Sequence, residues 1–402
     1  MFRRTLLASA GSLAALGRAG LANAEVPGVT ATEIKIGQTE SYSGPLSAYG
    51  AIGRGLVAFF KRANDQGGVA GHKITFISVD DGFLPPKTVE ETRRLVEQDG
   101  VSFLLNGLGT ATNTAVQRYL NQRRVPQLFI ATGAAKWANP TDFPWTIGFN
   151  PSYRTEAQIL AKHVLETKPD GKVAILYQND DFGKDYVAGL RDVFGDRYDR
   201  IVVKAASYEA TDPTIDSQTV TLQASGADVL ISAVTPKFAA QTIRKINDLG
   251  WRPLHLLSNV SVSVASVIHP AGPERAVGVV AAGYVKDPTD PAWNDDPGMA
   301  EWRTFMRDYM PGSDLTDGSY TYAYAVGTTI MVVLAQCNGD FSRETILKQA
   351  TNLQNLQVPT LLPGITVNTS PTNYHTIRQM HLQRWNGTRW ELFGNVIDSA
   401  ES

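Results

Sequence analysis

Short, almost unbroken apolar runs alternate along this chain with longer stretches whose apolar residues recur at helical spacing. Residues 101–115, VSFLLNGLGTATNTA, show both patterns. Residues 102–106 read as an inner strand of a parallel sheet. Residues 110–123 read as the following helix, with apolar positions at Ala111, Ala115, Val116, Tyr119 and Leu120. The same alternation predicts strands at 34–39, 74–80 and 127–130, with helices ending near Gln66 and spanning 87–98. This βαβαβαβ order implies a parallel sheet with helices on both faces.

The rhythm restarts after residues 146–148. A helix at 152–166 precedes strands at 173–177, 201–206, 229–233 and 254–257, separated by helices near 214–225 and 237–249. One more strand, 278–282, is followed by a proline-rich polar loop and helices at 299–309, 320–336 and 343–350. Segments 380–385 and 389–393 flank Asn386-Gly387-Thr388 and read as an antiparallel hairpin, because Asn-Gly tolerates positive φ. The expected fold class is α/β, with two doubly wound parallel-sheet lobes and a hinge where the chain passes between them. The expected division is 25–148 (lobe 1), 149–277 (lobe 2), 278–355 (lobe 1 again) and 356–402 (lobe 2 again).

Residues 1–24 carry Arg3 and Arg4, an apolar core and Ala22-Asn23-Ala24, the pattern of a signal peptide cleaved after Ala24 for export to the periplasm. Arg3-Arg4 fits either the general or the twin-arginine route. Removing the three arginines of that segment from 37 basic residues leaves 34 against 39 acidic ones, a net charge of −5, which argues against a nucleic-acid partner. Cys337 is the only cysteine, so no intrachain disulfide forms, and burial is its expected fate.

Candidate chemistry lies at the start of the 110–123 helix. Gly107 and Gly109 allow close backbone approach, and unpaired N–H groups with a partial positive charge suit an oxyanion. Alternatively, Thr110 and Thr112 cap a structural helix. Catalytic signatures are missing: no G-x-S-x-G, H-E-x-x-H, C-x-x-C or P-loop sequence occurs, and the six histidines lack metal-ligand spacing. Asp80-Asp81 and Asp180-Asp181 follow strands, where Asp serves Asx turns and N-caps rather than acid–base pairs. A binding site without a reaction, cofactor or metal is expected.

At SYSGPLSAYG, NDQGGVAGHKI, DDGFLPPKTV, GLGTATNTA, YQNDDFGKDY and PGITVNTSP the chain resembles periplasmic ligand-binding proteins of the branched-chain amino acid uptake type, of the periplasmic-binding-protein-like fold I class. The resemblance implies two lobes joined by three crossings. They would close over a small molecule and deliver it, as a monomer, to an inner-membrane ABC permease; a ligand sensor for a membrane receptor is the alternative. It further implies carboxylate-holding loops at Leu108, Gly109 and Thr110 and at Thr132, Gly133, Ala134 and Ala135, with Tyr49 and Phe182 against the ligand. Tyr42 joins them from its place in the first loop, and Thr235 and Asn259 complete the expected ligand-binding set. Two departures stand out: the second hydroxyl of lobe 1 falls at Ala135, and no acid stands near Val260, where the family holds an α-ammonium. An aromatic or aliphatic carboxylate lacking an α-ammonium is therefore expected, unless Asp180 or Asp181 turns into the cleft and restores amino-acid binding.

Overall fold

The computed structural model describes residues 26–398, so the expected signal segment lies outside the described residues. The first sheet is fully parallel: β1 (Glu33–Glu40), β2 (Lys73–Asp80), β3 (Phe103–Leu105), β4 (Gln127–Ile130) and β5 (Thr146–Gly148), in the order β2-β1-β3-β4-β5. In the second, β6 (Val173–Gln178), β7 (Val202–Tyr208), β8 (Val229–Ala233), β9 (Leu254–Leu257) and β10 (Val280–Gly283) are parallel. The hairpin β11 (Gln379–Trp385) and β12 (Trp390–Asp398) joins β10 antiparallel, giving the order β12-β11-β10-β9-β8-β6-β7. The expected pair of α/β lobes is present. Every residue of β3, β4 and β8 is buried, since helices cover both faces of each sheet.

Helices α1 (Gly50–Asp65), α2 (Pro85–Glu97) and α3 (Thr110–Gln122) belong to the first lobe; α4 (Tyr153–Thr167) and α5 (Asp181–Phe194) open the second. Helix α2 begins earlier than expected because Pro85 and Pro86 occupy its first two positions, where the missing N–H groups have no intrahelical partner anyway. No helix among the described residues is long and apolar enough to cross a membrane. Cys337 is 4% exposed, its Sγ–H donates to Val333 O (3.2 Å), and burial pushes the thiol up to about 12, so it packs as a small apolar group.

The chain crosses between lobes three times, after β5, after β10 and before β11. These crossings are tied together: Val285 pairs with Leu361, Lys286 N donates to Thr360 O (2.9 Å), and Thr376 Oγ1 donates to Gly148 O (2.6 Å). The expected boundaries at 278 and 356 need correction. Strand β10 is hydrogen-bonded to β9 and β11, which keeps it in the second lobe's sheet. Residues 353–376 instead bond toward the first lobe: Thr369 Oγ1 donates to Ala350 O (2.8 Å), and Tyr374 donates its hydroxyl to Pro144 O (2.9 Å). Hydropathy could not locate this stretch because its backbone pairs through isolated bridges rather than a periodic element.

Helix Ser319–Gln336 returns to the first lobe and lies against α1 at two glycines. A Cβ on Gly55 would stand 2.8 Å from Ala323 Cβ, and one on Gly327 would stand 2.6 Å from the Phe59 ring. Arg62 fastens the same face, donating to the Tyr324 hydroxyl and to Glu301 Oε1 (2.6 Å). Gly327→Val should therefore lower stability by about 2–3 kcal/mol through overpacking, which chemical denaturation would read as a reduced midpoint at unchanged slope. An unchanged midpoint would mean that the two helices separate at little cost.

Candidate ligand-binding cleft

Between the lobes lies a cleft of about 1140 Å³, its open mouth included, walled mainly by apolar side chains such as Leu46, Ile52, Phe83, Leu108 and Val262. The organising strand and helix meet it at Gly109 and Thr110. Gly109 has φ +92°, a conformation that favours glycine, and no side chain caps α3. The capping alternative for the two threonines is thus excluded. Thr112 donates its hydroxyl to Leu108 O and to Gly109 O (3.1 Å), and the Thr110 hydroxyl pairs with that of Thr132 (2.6 Å). The first helical amide with a backbone partner is Asn113 N, to Gly109 O (3.3 Å).

Phe83 covers this turn. A Cβ on Gly109 would fall 2.2 Å from its ring, which fixes glycine at that position. Phe83 itself holds φ +60°, unusual for an aromatic residue, and its N–H donates to Asp81 Oδ1 (2.8 Å). Asp81 also receives the Ser41 and Thr88 hydroxyls, while Asp80 receives the amides of Tyr42, Ser43 and Gly82. Burial opposes ionisation of Asp80, but the Ser43 and Gly82 bonds outweigh it and hold the carboxyl down to about 2. This pair shapes the loop, as the Asx reading expected.

The second lobe supplies the opposite wall. Phe182 packs tilted on Tyr153 at 4.6 Å, and Thr235 N donates to the Tyr208 hydroxyl (3.0 Å), which donates to Gln178 Oε1 (3.2 Å). Asp180 caps α5 by accepting from Phe182 N (3.0 Å) and Gly183 N (3.4 Å), and Asp181 pairs with Lys136 of the first lobe (3.1 Å). Neither lines the cleft. Further contacts join the lobes: Tyr49 donates its hydroxyl to Val260 O (2.7 Å), and Ala135 N donates to Asp185 Oδ2 (2.7 Å).

Among the expected contact residues, Tyr49, Leu108, Gly109, Thr110, Phe182, Thr235 and Asn259 share this cleft. Tyr42 does not, because its hydroxyl bonds Ser78 Oγ (2.5 Å) and its ring lies on α1 at Gly53. Thr132, Gly133, Ala134 and Ala135 form a supporting layer instead. Thr132 backs Thr110, the Gly133 and Ala134 carbonyls receive the amides of Tyr153 (2.8 Å) and Trp137 (3.1 Å), and Ala135 contacts the second lobe. The sequence reading missed Phe83, Tyr153, Asp287, Gln383 and Trp390, which also line the cleft, and Glu156 behind Asn259. Only Asp287 carried a signal, as an acid in the polar loop beyond β10.

Asp287 and Lys286 are the charged residues of the lining. Lys286 is spent on Asp296 (2.8 Å to both oxygens) and Pro359 O (2.8 Å). Glu156 is fully buried and accepts from Asn259 N (2.7 Å) and from the Asn259 side-chain amide. Its burial outweighs those bonds and pushes the carboxyl up to about 7. No cluster of three or more His, Cys, Asp or Glu residues that could hold a metal ion occurs among the described residues.

Residues 33–389 match the sequence pattern of the family described as periplasmic binding protein. The Leu/Ile/Val-binding protein homolog 7 of Brucella abortus is 24% identical over 282 residues, 67% of this chain and 69% of that protein. Among solved structures, a branched-chain amino acid ABC transporter protein from Thermus thermophilus with bound valine superposes with a TM-score of 0.81 at 16% identity, covering 92% of this chain and 97% of the other. A fatty acid ABC transporter substrate-binding protein from Thermomonospora curvata gives 0.74 at 18% identity, covering 93% and 95%. At such identities the structural likenesses establish the fold alone.

The Glu156 contact predicts a pH signature. Its folded pKa of about 7 lies above the ordinary 4.5, so its contribution to stability is full below pH 4.5 and is lost as pH rises through 7. Relative to Glu156→Gln, wild-type stability should fall by about 3 kcal/mol across that window, measured by denaturant titration at several pH values. Parallel pH curves for the two proteins would refute this.

Proposed function

The chain belongs to the periplasmic binding protein family, the substrate-binding component of ABC uptake, and from that premise we propose that its ligand is a small aromatic or aliphatic carboxylate without an α-ammonium group. The observation that carries this reading is the uncapped first turn of α3 opening onto an apolar cleft at Gly109 and Thr110. The carboxylate sits against the amides of that turn and the Thr110 hydroxyl, and the tail lies between Phe83 of the first lobe and Phe182 of the second. Closure then follows from contacts that only the closed state makes with the ligand. An α-ammonium would lack a countercharge beside this turn, since no acid stands near Val260 in the sequence, Glu156 is turned onto Asn259 behind the cleft wall, and Asp180 and Asp181 are engaged elsewhere. Residues 1–24 act as the export signal to the periplasm, where the monomer hands its ligand to an inner-membrane permease.

A second reading, branched-chain amino acid binding, is favoured by the relatives, a Leu/Ile/Val-binding protein homolog and a protein solved with bound valine. A thermal-shift screen separates the two, because a ligand at a hundred times its Kd adds about 2.7 kcal/mol to stability. Aromatic or aliphatic monocarboxylates should raise the midpoint, while free leucine, isoleucine and valine should leave it nearly unchanged; the reverse would replace the first reading by the second. Thr110→Ala should weaken binding of the best acid by about 1.5–3 kcal/mol in titration calorimetry, the value of a buried charge-assisted hydrogen bond. Full affinity in that variant would remove the Thr110 hydroxyl from recognition.

A further inference from the structure

Two further polar side chains line the cleft on elements separate from α3. Asp287 follows β10 on the second crossing, and its Oδ1 accepts from Thr289 N and Oγ1 (2.9 Å each), while Oδ2 is buried without a donor. Gln383 stands on β11, beyond the third crossing, and is 5% exposed. Its amide has no hydrogen-bond partner among the described residues and lies flat on Gly283, where a Cβ would come within 2.9–3.1 Å of Nε2, Cδ and Oε1. Both residues line the cleft, as does Trp390, whose indole N–H is occupied by Val262 O (2.9 Å).

An amide without a protein partner at the cleft wall is free to bond a guest, and a buried carboxylate oxygen without a donor is costly unless something fills its hydrogen-bonding capacity. The protein does not: Lys286 is committed to Asp296, and the nearby Arg389 is committed to Asp290 (3.1 Å). The open needs of the two residues are a donor and a positive charge at Asp287, and donors and acceptors at the Gln383 amide. We infer that Asp287 and Gln383 form a specificity subsite for an amine at the end of the ligand distant from its carboxylate, so that the ligand is an amino acid of ω type rather than α type. The ammonium sits at Asp287 and the Gln383 carbonyl takes a second N–H. This rests on the carboxylate reading above, and it explains how an acid can line the cleft although none stands where an α-ammonium would need one.

Isothermal titration of the unmodified protein with ω-amino acids of four to eight carbons, the matching monocarboxylates and the matching alkylamines tests this. At one chain length the ω-amino acid should bind at least tenfold tighter than its monocarboxylate. Asp287→Asn should abolish that difference and Gln383→Leu should reduce it, with unliganded melting showing that each variant folds. Monocarboxylates binding as well as ω-amino acids at every length would overturn the subsite and leave the carboxylate reading intact. Alkylamines binding as well as ω-amino acids would uphold the subsite and overturn the carboxylate reading. Binding by none of the three series would overturn both.

Discussion

The cleft depends on a helix start left without a cap. A Ser, Thr, Asp or Asn side chain is the favoured partner for a helix's first amides, and α4 and α5 use Ser152 and Asp180 in this way. At α3 neither nearby hydroxyl caps the helix: Thr112 donates to carbonyls behind it, and Thr110 pairs with Thr132, which can donate and leave the Thr110 proton open to the cleft. Unmet buried amides cost about 1–3 kcal/mol each, so their persistence requires the surrounding structure to fix them. That structure is visible. Asp81 holds Phe83 in its unusual backbone state, Phe83 presses on Gly109, and Asn113 ties its side chain to the carbonyls of Gly107 (2.8 Å) and Gly109 (2.6 Å). The aspartates that resemble a catalytic pair are the frame of this turn.

On the proposed carboxylate reading, recognition uses oriented dipoles rather than a free cation. The one basic side chain of the lining, Lys286, has its charge matched by Asp296 and its remaining donor taken by Pro359 O. A carboxylate arriving at α3 therefore meets N–H groups and a hydroxyl, worth less than a dry ion pair but already positioned, so little ordering remains to be done on binding. Such binding is strong when the lobes exclude water and weak when they part, because the same dipoles act through a higher dielectric in the open form. That difference suits a protein that must capture its ligand and release it.

Much of the fold was legible. Strands β4, β8 and β9 begin and end where their apolar runs do, and the Asn386-Gly387 turn announced the terminal hairpin. In the cleft, Gly109 and Thr110 were readable because a glycine turn between a buried strand and a helix brings open N–H groups to the sheet edge, while Phe182 came from the family resemblance. The rest was hidden for identifiable reasons. Tyr42 and Tyr49 share one loop, and only packing decides that one reaches Ser78 and the other Val260. Phe83 looked like a loop residue because its importance lies in a backbone angle. Asp287 and Gln383 are distant in sequence and meet the same cleft only because two crossings run side by side, a consequence of topology that no local pattern encodes.

Glu156 shows how the second lobe meets the same demand in reverse. Where α3 leaves donors open for a guest, the loop after β9 has its donors at Asn259 closed by a buried acid on α4. Fully ionised, that acid would sit in a poor environment; neutral, it keeps one acceptor oxygen for Asn259 N and gains a proton to place elsewhere. Either way it anchors the residue next to Val260, whose carbonyl receives Tyr49 from across the cleft. On the proposed reading the first lobe holds the ligand's polar group, while the second holds the loop that Tyr49 of the first lobe contacts. A change at Glu156 would act on closure without touching the ligand.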